Sequence, residues 1–354
     1  MGDSIGELIV RADATTGIGT GHLMRSLALA QAWQDAGGSV AFITVCDSEG
    51  LRRRLREEGF TLFPLAKSHP GPGDWEETEA ILGRHSGAGV VLDGYHFDTG
   101  YQEGIRAAGH PLLVIDDMAH LPHYAADVLL NQNLHAAGLT YSVESDSRLL
   151  LETGYALLRR EFLKWRGCPR EIPAVARHVL VTMGGTDPGN ITLEAIKVLS
   201  RAGETDLEVA VVMGAGNPHA GAVEAAAWEN NLPVRLIYDA RNMPELMAWA
   251  DLAISAAGTT VWELMFLGVP SVLMAVAGNQ EMIAASAAAA GAAVRVEIKG
   301  RDWSDVFAEN VRKLIPDASH RAELSARGRR LVDGLGGQRV VQAMTERMAG
   351  RCFR

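Results

Sequence analysis

Cysteine is scarce: the 354 residues hold three, Cys46, Cys168 and Cys352, far apart in the chain. That excludes a paired-cysteine zinc spacing and a dense disulfide framework. Positive charge is in deficit, with a formal net charge of -10, which argues against broad nucleic-acid binding over a positive surface. It does not exclude a phosphate-bearing small ligand, because backbone N–H groups at helix N-termini can hold one without net charge. No uninterrupted apolar segment reaches the ~20 residues of a membrane span, and the start, MGDSIGELIVRAD, lacks the apolar run of a signal peptide. The expectation is a cytoplasmic protein in a reducing setting that is not integral to a membrane. Aromatics are also few, at 6%.

Glycine is plentiful, at 38 residues, within an ordinary 47% hydrophobic and 21% charged composition. The length suggests two domains. Apolar runs at Glu7–Arg11, Ser39–Val45, Gly89–Asp93, Pro111–Asp116 and Val128–Leu130 read as strands. So do Val179–Met183, Leu207–Val212, Val234–Tyr238, Leu252–Ser255 and Ser271–Met274. Several are continuous instead of alternating, as parallel strands buried on both faces are. Helices are expected at about His22–Gln34, Thr192–Ser200, Met243–Ala248 and Thr260–Leu267, and the alanine-rich run Ala284–Ala290 reads as another. The reading is α/β, two doubly wound Rossmann-like domains over residues 1–165 and 177–354, facing a central cleft. Residues 166–176, with Pro169 and Pro173, form the expected linker.

The most informative segment runs from Arg11 to Arg25, between the first strand and the first helix. Gly17, Gly19 and Gly21 allow close backbone approach and positive φ. His22 falls at the helix start, where the helix dipole disfavours the imidazolium and leaves a neutral ring available as a base. A glycine turn closed by a merely structural histidine is the competing reading of the spacing. A nicotinamide fingerprint is not favoured, since its third glycine would fall at Met24.

Two later turns follow strands. Gly184-Gly185-Thr186 lets backbone lie against a ligand, and Ser255 to Thr260 opens a helix whose amides at Gly258, Thr259 and Thr260 suit a diphosphate. Glu263, one turn on, is placed for ribose hydroxyls, or simply complements the helix dipole. Asn279 and Gln280 follow the last strong strand and suit sugar hydroxyls or acyl-amino groups, with helix capping as the alternative.

Taken together, these segments resemble the pseudaminic acid pathway UDP-sugar hydrolases, which act on UDP-2,4-diacetamido-2,4,6-trideoxy-β-L-altropyranose. The resemblance rests on seven motifs in order between Leu8 and Ala293. They are R-x-D-x-x-x-x-I-G-x-G-H-x-x-R at Arg11–Arg25, D-x-Y at Asp93–Tyr95, D-D at Asp116–Asp117 and D-x-L-L-N at Asp127–Asn131. G-Y-x-L-L-R-x-E-F at Gly154–Phe162, M-G-G-T-D at Met183–Asp187 and N-Q at Asn279–Gln280 complete the set. The resemblance implies a GT-B-type fold shared with nucleotide-sugar glycosyltransferases, and neither metal nor cofactor. It implies His22 as general base, with Tyr95 and Asn279 beside the sugar. Arg11, Asp13, Gly19, Gly21, Asp93 and Gln280 are the implied substrate contacts. The UDP half would meet Gly184, Gly185, Thr186, Ser255, Gly258, Thr259 and Thr260, with Glu263 on ribose and the uracil near Asn242 and Met243. A last helix crossing back to the first domain would suit such a fold.

The expected activity is therefore inverting hydrolysis of a UDP-2,4-diacetamido-2,4,6-trideoxyhexose. Rivals are a GT-B glycosyltransferase that passes the sugar to an acceptor, and a nucleotide-sugar binding protein without turnover. The run Leu51–Arg56 resembles the basic patch of lipid-acceptor transferases but reads more simply as a solvated helix face.

Overall fold

Apolar residues that bury both faces of a strand leave it little choice but the middle of a parallel sheet. In a computed structural model describing residues 5–201, 206–214, 216–229, 232–300 and 302–351, that is where most of them lie. Cys352 falls outside the described residues. The chain divides into two compact units, one of residues 1–160 with 334–354, the other of residues 161–333.

The first unit carries seven strands: β1 (Glu7–Ala12), β2 (Ser39–Thr44), β3 (Thr61–Pro64), β4 (Gly89–Asp93), β5 (Leu112–Ile115), β6 (Val128–Asn131) and β7 (Arg148–Leu151). Their order is β3-β2-β1-β4-β5-β6-β7 and every pairing is parallel. β1 registers Ala12 against Asp93, so the carboxyl ends of the two central strands are level. Between them run α1 (Gly21–Asp35), α2 (Glu49–Glu57), α3 (Asp74–Leu82) and α4 (Thr99–Ala107); a short α5 (Arg160–Leu163) starts at this unit's last residue before the break and continues into the second. α1 buries Leu23, Leu27, Ala30 and Trp33 on the sheet, and Gly37, at positive φ, turns the chain into β2. α2 buries only Leu55, while Arg52 and Arg56 pair with Glu49 on its outer face. This is the solvated helix face read from the sequence.

The second unit carries six parallel strands: β8 (His178–Thr182), β9 (Glu208–Met213), β10 (Val234–Tyr238), β11 (Leu252–Ala256), β12 (Ser271–Met274) and β13 (Val294–Val296), in the order β10-β9-β8-β11-β12-β13. α6 (Ile191–Ser200), α7 (Ala220–Glu229), α8 (Met243–Trp249), α9 (Thr260–Leu267), α10 (Glu281–Ala289), α11 (Trp303–Leu314) and α12 (Ala318–Leu331) surround the sheet. Trp262 and Phe307 are among its fully buried side chains.

The segment expected as a linker packs with this second unit: Arg170 donates to the carbonyls of Met247 and Ala250, and Arg321 to those of Pro173 and Ala174. The final helix, α13 (Gly336–Arg351), groups with the first unit and packs on α1. Two glycines make room for it. A Cβ on Gly89 would lie 2.9 Å from Met344 Cε, and one on Gly336 would lie 2.2 Å from the Ala156 carbonyl oxygen. Three strands were not expected from the sequence: β3, β7 and β13. All are short sheet edges of three or four residues, part exposed, although β7 carries the leucines Leu149, Leu150 and Leu151.

Candidate active site

Carboxylates close the central strands of the first unit. Asp13 follows β1, Asp93 ends β4, and Asp116 and Asp117 follow β5, all buried. Because the strands are parallel and adjacent, these groups share one edge of the sheet, the carboxyl edge where such sheets bind ligands. Buried charges need partners, and each is met.

Thr20 occupies the N-cap position of α1 without a side-chain capping bond, and His22 is the second helical residue. Of the three glycines before it only Gly19 takes a positive φ; Gly17 and Gly21 do not need one. His22 Nδ1 lies 2.7 Å from Asp93 Oδ1. Arg25 Nη2 stands 3.2 Å from the same nitrogen, but the carboxylate is nearer, so the proton that Nδ1 carries is donated to Asp93. Asp93 also accepts from Arg25 Nε at 2.8 Å, Arg25 Nη2 at 2.7 Å and Ser26 Oγ at 3.0 Å. Burial alone would raise the Asp93 pKa, but the charges and hydrogen bonds of Arg25 and His22 hold it well below the ordinary carboxylate range. Arg25 is opposed by its burial yet held firmly charged by Asp117 and Asp93.

Arg25 Nη1 reaches on to both oxygens of Asp117, at 2.8 and 2.7 Å. Asp117 further accepts from Tyr95 Oη at 2.5 Å and Asn133 Nδ2 at 2.6 Å. The Tyr95 ring meets the His22 ring edge-on, with centroids 4.6 Å apart. The network thus joins α1 to the ends of β4, β5 and β6.

A second cluster sits beside it. Arg11 reaches Asp13 and, at 2.5 Å, Asp74, beneath the Phe97 ring at 4.8 Å. Asp13 also accepts from Val45 N–H at 2.7 Å and lies 3.0 Å from His96 Nε2. Its burial works to raise the pKa, but the bond from His96, the Arg11 charge and the Val45 amide bring it down to about 2.

The sequence reading placed Arg11, Asp13 and Asp93 among substrate contacts. In the structure all three are fully buried and engaged with protein groups. His22 and Tyr95 remain part exposed. Arg25, Asp117 and Asn133 were not assigned roles from the sequence. Arg25 lies in the first motif, and its position one turn after His22 is its signal in the sequence.

In the second unit, the turns after β8, β11 and β12 open on the carboxyl edge of three adjacent parallel strands. Gly184 adopts a positive φ of 78°. Asp187 accepts from the Ile191 and Thr192 amides at 2.9 Å each, capping α6 and shaping the turn that holds Gly185 and Thr186. Gly214, unmarked in the sequence reading, packs against this turn: a Cβ there would lie 2.5 Å from the Gly185 carbonyl oxygen. Gly258 and Thr259 lead into α9, with the Val261 and Trp262 amides closing back on their carbonyls. Thr260 and Glu263, in the first turn, are half-buried. Ser255 is fully buried, and its hydroxyl donates to the Ala256 carbonyl at 2.9 Å. Met243, the first residue of α8, is buried as well. Asn279 and Gln280 form a 3-10 turn after β12. Gln280 Oε1 accepts from the Val276 amide, and its Nε2 lies 3.7 Å from where a Gly258 Cβ would stand.

Two parallel-sheet Rossmann-like units of this kind define the GT-B type of fold. A crystal structure of MurG from Acinetobacter baumannii superposes with a TM-score of 0.64 at 16% identity, over 96% of this chain and 99% of that one. Residues 178–331 match the glycosyltransferase family 28 C-terminal domain. The chain is 22% identical to an uncharacterized protein of Methanocaldococcus jannaschii over 76% of its length, spanning 55% of that protein. It is 25% identical, over 78% of its length and 94% of the other's, to the UDP-2,4-diacetamido-2,4,6-trideoxy-β-L-altropyranose hydrolase of Campylobacter jejuni. Among the described residues no helix is long and apolar enough to cross a membrane.

Proposed function

We propose that this protein is a nucleotide-sugar hydrolase that releases UDP from a UDP-2,4-diacetamido-2,4,6-trideoxyhexose, in the biosynthesis of a nonulosonic acid of the pseudaminic type. The observation that carries the reading is the 2.7 Å contact between His22 Nδ1 and the buried Asp93 carboxylate. A carboxylate there fixes the tautomer that a general base needs and stabilises the imidazolium once a proton arrives.

Water attacks the anomeric carbon as His22 Nε2 takes its proton. The bond from that carbon to the diphosphate breaks, and its electron pair leaves with UDP. A single displacement inverts the anomeric centre. Tyr95 packs on His22 and lines the sugar, with Asn279 and Gln280 contributing polar contacts. Gly19 and Gly21 let the sugar approach the start of α1. Arg11, Asp13 and Asp93 act from beneath, as buried supports of the strand ends. Gly184, Gly185, Thr186, Gly258, Thr259 and Thr260 cradle the diphosphate through backbone amides, which stabilise its developing charge. Glu263 takes the ribose, and backbone at Met243 the uracil. Ser255, buried with its hydroxyl occupied, shapes the turn from within.

The C-terminal family match supports a second reading, transfer of the sugar to an acceptor hydroxyl with His22 again as base. The deciding experiment incubates purified protein with UDP-2,4-diacetamido-2,4,6-trideoxy-β-L-altropyranose and no acceptor, and follows free UDP. Release that disappears in His22→Ala supports hydrolysis. Absence of release from every diacetamido-trideoxy UDP-hexose overturns it, and release only with an added acceptor selects the transferase.

A further inference from the structure

We infer that His120 is a positioning residue of this site: its imidazole ties the Asp116 carboxylate, after β5, to the backbone of Tyr95, after β4, and so holds the ring against which His22 packs. The inference rests on the roles proposed for His22 and Tyr95.

Both nitrogens of the His120 ring meet acceptors. Nδ1 lies 2.8 Å from Asp116 Oδ2, and Nε2 lies 3.2 Å from the Tyr95 carbonyl oxygen. A neutral imidazole has one N–H and can satisfy only one of them; the imidazolium satisfies both. Asp116 is committed to its ionised form. Its other oxygen accepts from the Met118 and Ala119 amides at 2.8 and 2.6 Å and from Tyr141 Oη at 3.0 Å. The bond from His120, the Ala119 and Met118 amides and the Tyr124 hydroxyl overcome its burial and lower its pKa.

The remaining groups facing the ring favour the charged form or are neutral. Tyr124 Oη stands 3.5 Å from Nδ1, and burial pushes its pKa up, so it stays a phenol. Asp117 adds negative charge nearby, though Arg25 pairs with it. From the β4 side the neighbour is Tyr95, whose ring centroid lies 5.7 Å away. The hydrogen bond to Asp116, against partial burial, raises the His120 pKa above its ordinary value. The side chain is 27% exposed, so it exchanges protons with solvent.

Tyr95 is therefore held at two points, by its hydroxyl on Asp117 and by its carbonyl on His120. As pH rises through the raised pKa, the ring keeps its N–H on the Asp116 carboxylate and turns a lone pair toward the Tyr95 carbonyl. One of the two ties is lost, and with it the alignment of the Tyr95 ring on His22. Misplacement of this kind reduces turnover more than binding.

The test has two arms. In the first, histidine-labelled and tyrosine-labelled protein is titrated by NMR. Loss of signals in His120→Gln identifies His120, and loss in Tyr95→Phe identifies Tyr95. The expected result is a His120 midpoint above about 6.5, with the Tyr95 signal moving at the same midpoint. A His120 midpoint at or below the ordinary value, or a Tyr95 signal that stays still through it, overturns the inference. In the second arm, UDP release is followed against pH. Wild type should lose kcat through the same midpoint, with KM nearly constant. His120→Gln, which keeps amide donors but cannot titrate, should flatten that decline. His120→Leu should hold kcat at every pH about tenfold below the wild-type value reached beneath the midpoint; a kcat equal to wild type beneath the midpoint overturns the inference. A wild-type protein that releases no UDP overturns the hydrolase reading alone, and the first arm then decides the tie to Tyr95.

Discussion

Arg25 and His22 share one oxygen atom. Arg25 Nη2 and His22 Nδ1 each lie 2.7 Å from Asp93 Oδ1, three residues apart on the first two turns of α1. Residues so spaced on a helix lie on one face, and here that face is pressed against the end of β4. The carboxylate therefore has two tasks, neutralising a buried guanidinium and orienting an imidazole. Arg25 then carries the connection on to Asp117 and Tyr95.

Replacing the carboxylate by an amide separates those tasks. Asp93→Asn presents an N–H₂ or a neutral oxygen to His22 and no longer fixes the Nδ1–H tautomer. We expect kcat for UDP release to fall by roughly 10²–10⁴-fold, by analogy with amide replacement in a catalytic triad. UDP affinity measured by calorimetry should be unchanged, because the turns proposed to hold the nucleotide lie in the other unit. An Asp93→Asn enzyme with wild-type kcat would remove the support for His22 as base.

Arg25→Ala should be a stability mutant first. It strands two buried carboxylates, Asp93 and Asp117, and breaking a buried ion pair in this way costs about 3–5 kcal/mol. The measurement is urea unfolding followed by circular dichroism. Arg25→Lys should recover only part of the loss, since an ammonium cannot bridge two carboxylates with the planar fork of a guanidinium. Equal stability of the lysine variant and wild type would contradict the bridging role.

Acid should unfold the first unit through its low-pKa carboxylates. Asp13 is depressed to about 2 in the folded state, against about 3.9 unfolded, and Asp93 is depressed further. A depressed carboxylate stabilises the fold fully above its unfolded pKa and loses that contribution as pH falls through the folded value. For Asp13 the linked stabilisation is about 2.6 kcal/mol. Urea midpoints should therefore hold steady down to about pH 5 and fall steeply between about pH 4 and 2. Asp13→Asn should show a shallower slope over that window, whatever its absolute stability.

Gly214→Ala probes the proposed nucleotide turn alone. The added methyl would stand 2.5 Å from the Gly185 carbonyl oxygen and 2.6 Å from Gly185 Cα, backbone atoms that cannot swing aside. The Gly184–Thr186 turn must shift, and its amides with it. UDP should bind about tenfold more weakly, consistent with loss of one or two hydrogen bonds, while the urea stability of the first unit is unaffected. Unchanged UDP affinity would indicate that this turn does not hold the nucleotide.

Much of the fold was legible in the chain. Continuous apolar runs such as Val90–Leu92 and Val179–Val181 are buried on both faces, and that requirement is written residue by residue. The edge strands β3, β7 and β13 were not legible, because an edge demands little of its side chains. The placement of α13 with the first unit also depended on remote shape, on Gly89 and Gly336 making space for it.

The site divides the same way. Local sequence by itself determined the turns: Gly19 and Gly184 supply positive φ where the chain leaves a strand, and His22 falls at the helix start. Only the tertiary structure decided which polar residues lie open and which lie beneath. Arg11, Asp13 and Asp93 look in sequence like ligands of a substrate, yet the fold buries all three against partners, Arg11 on Asp13 and Asp74, and Asp93 on Arg25 and Ser26. Each pairing offsets the cost of a buried charge, and His22 and Tyr95 are left part exposed.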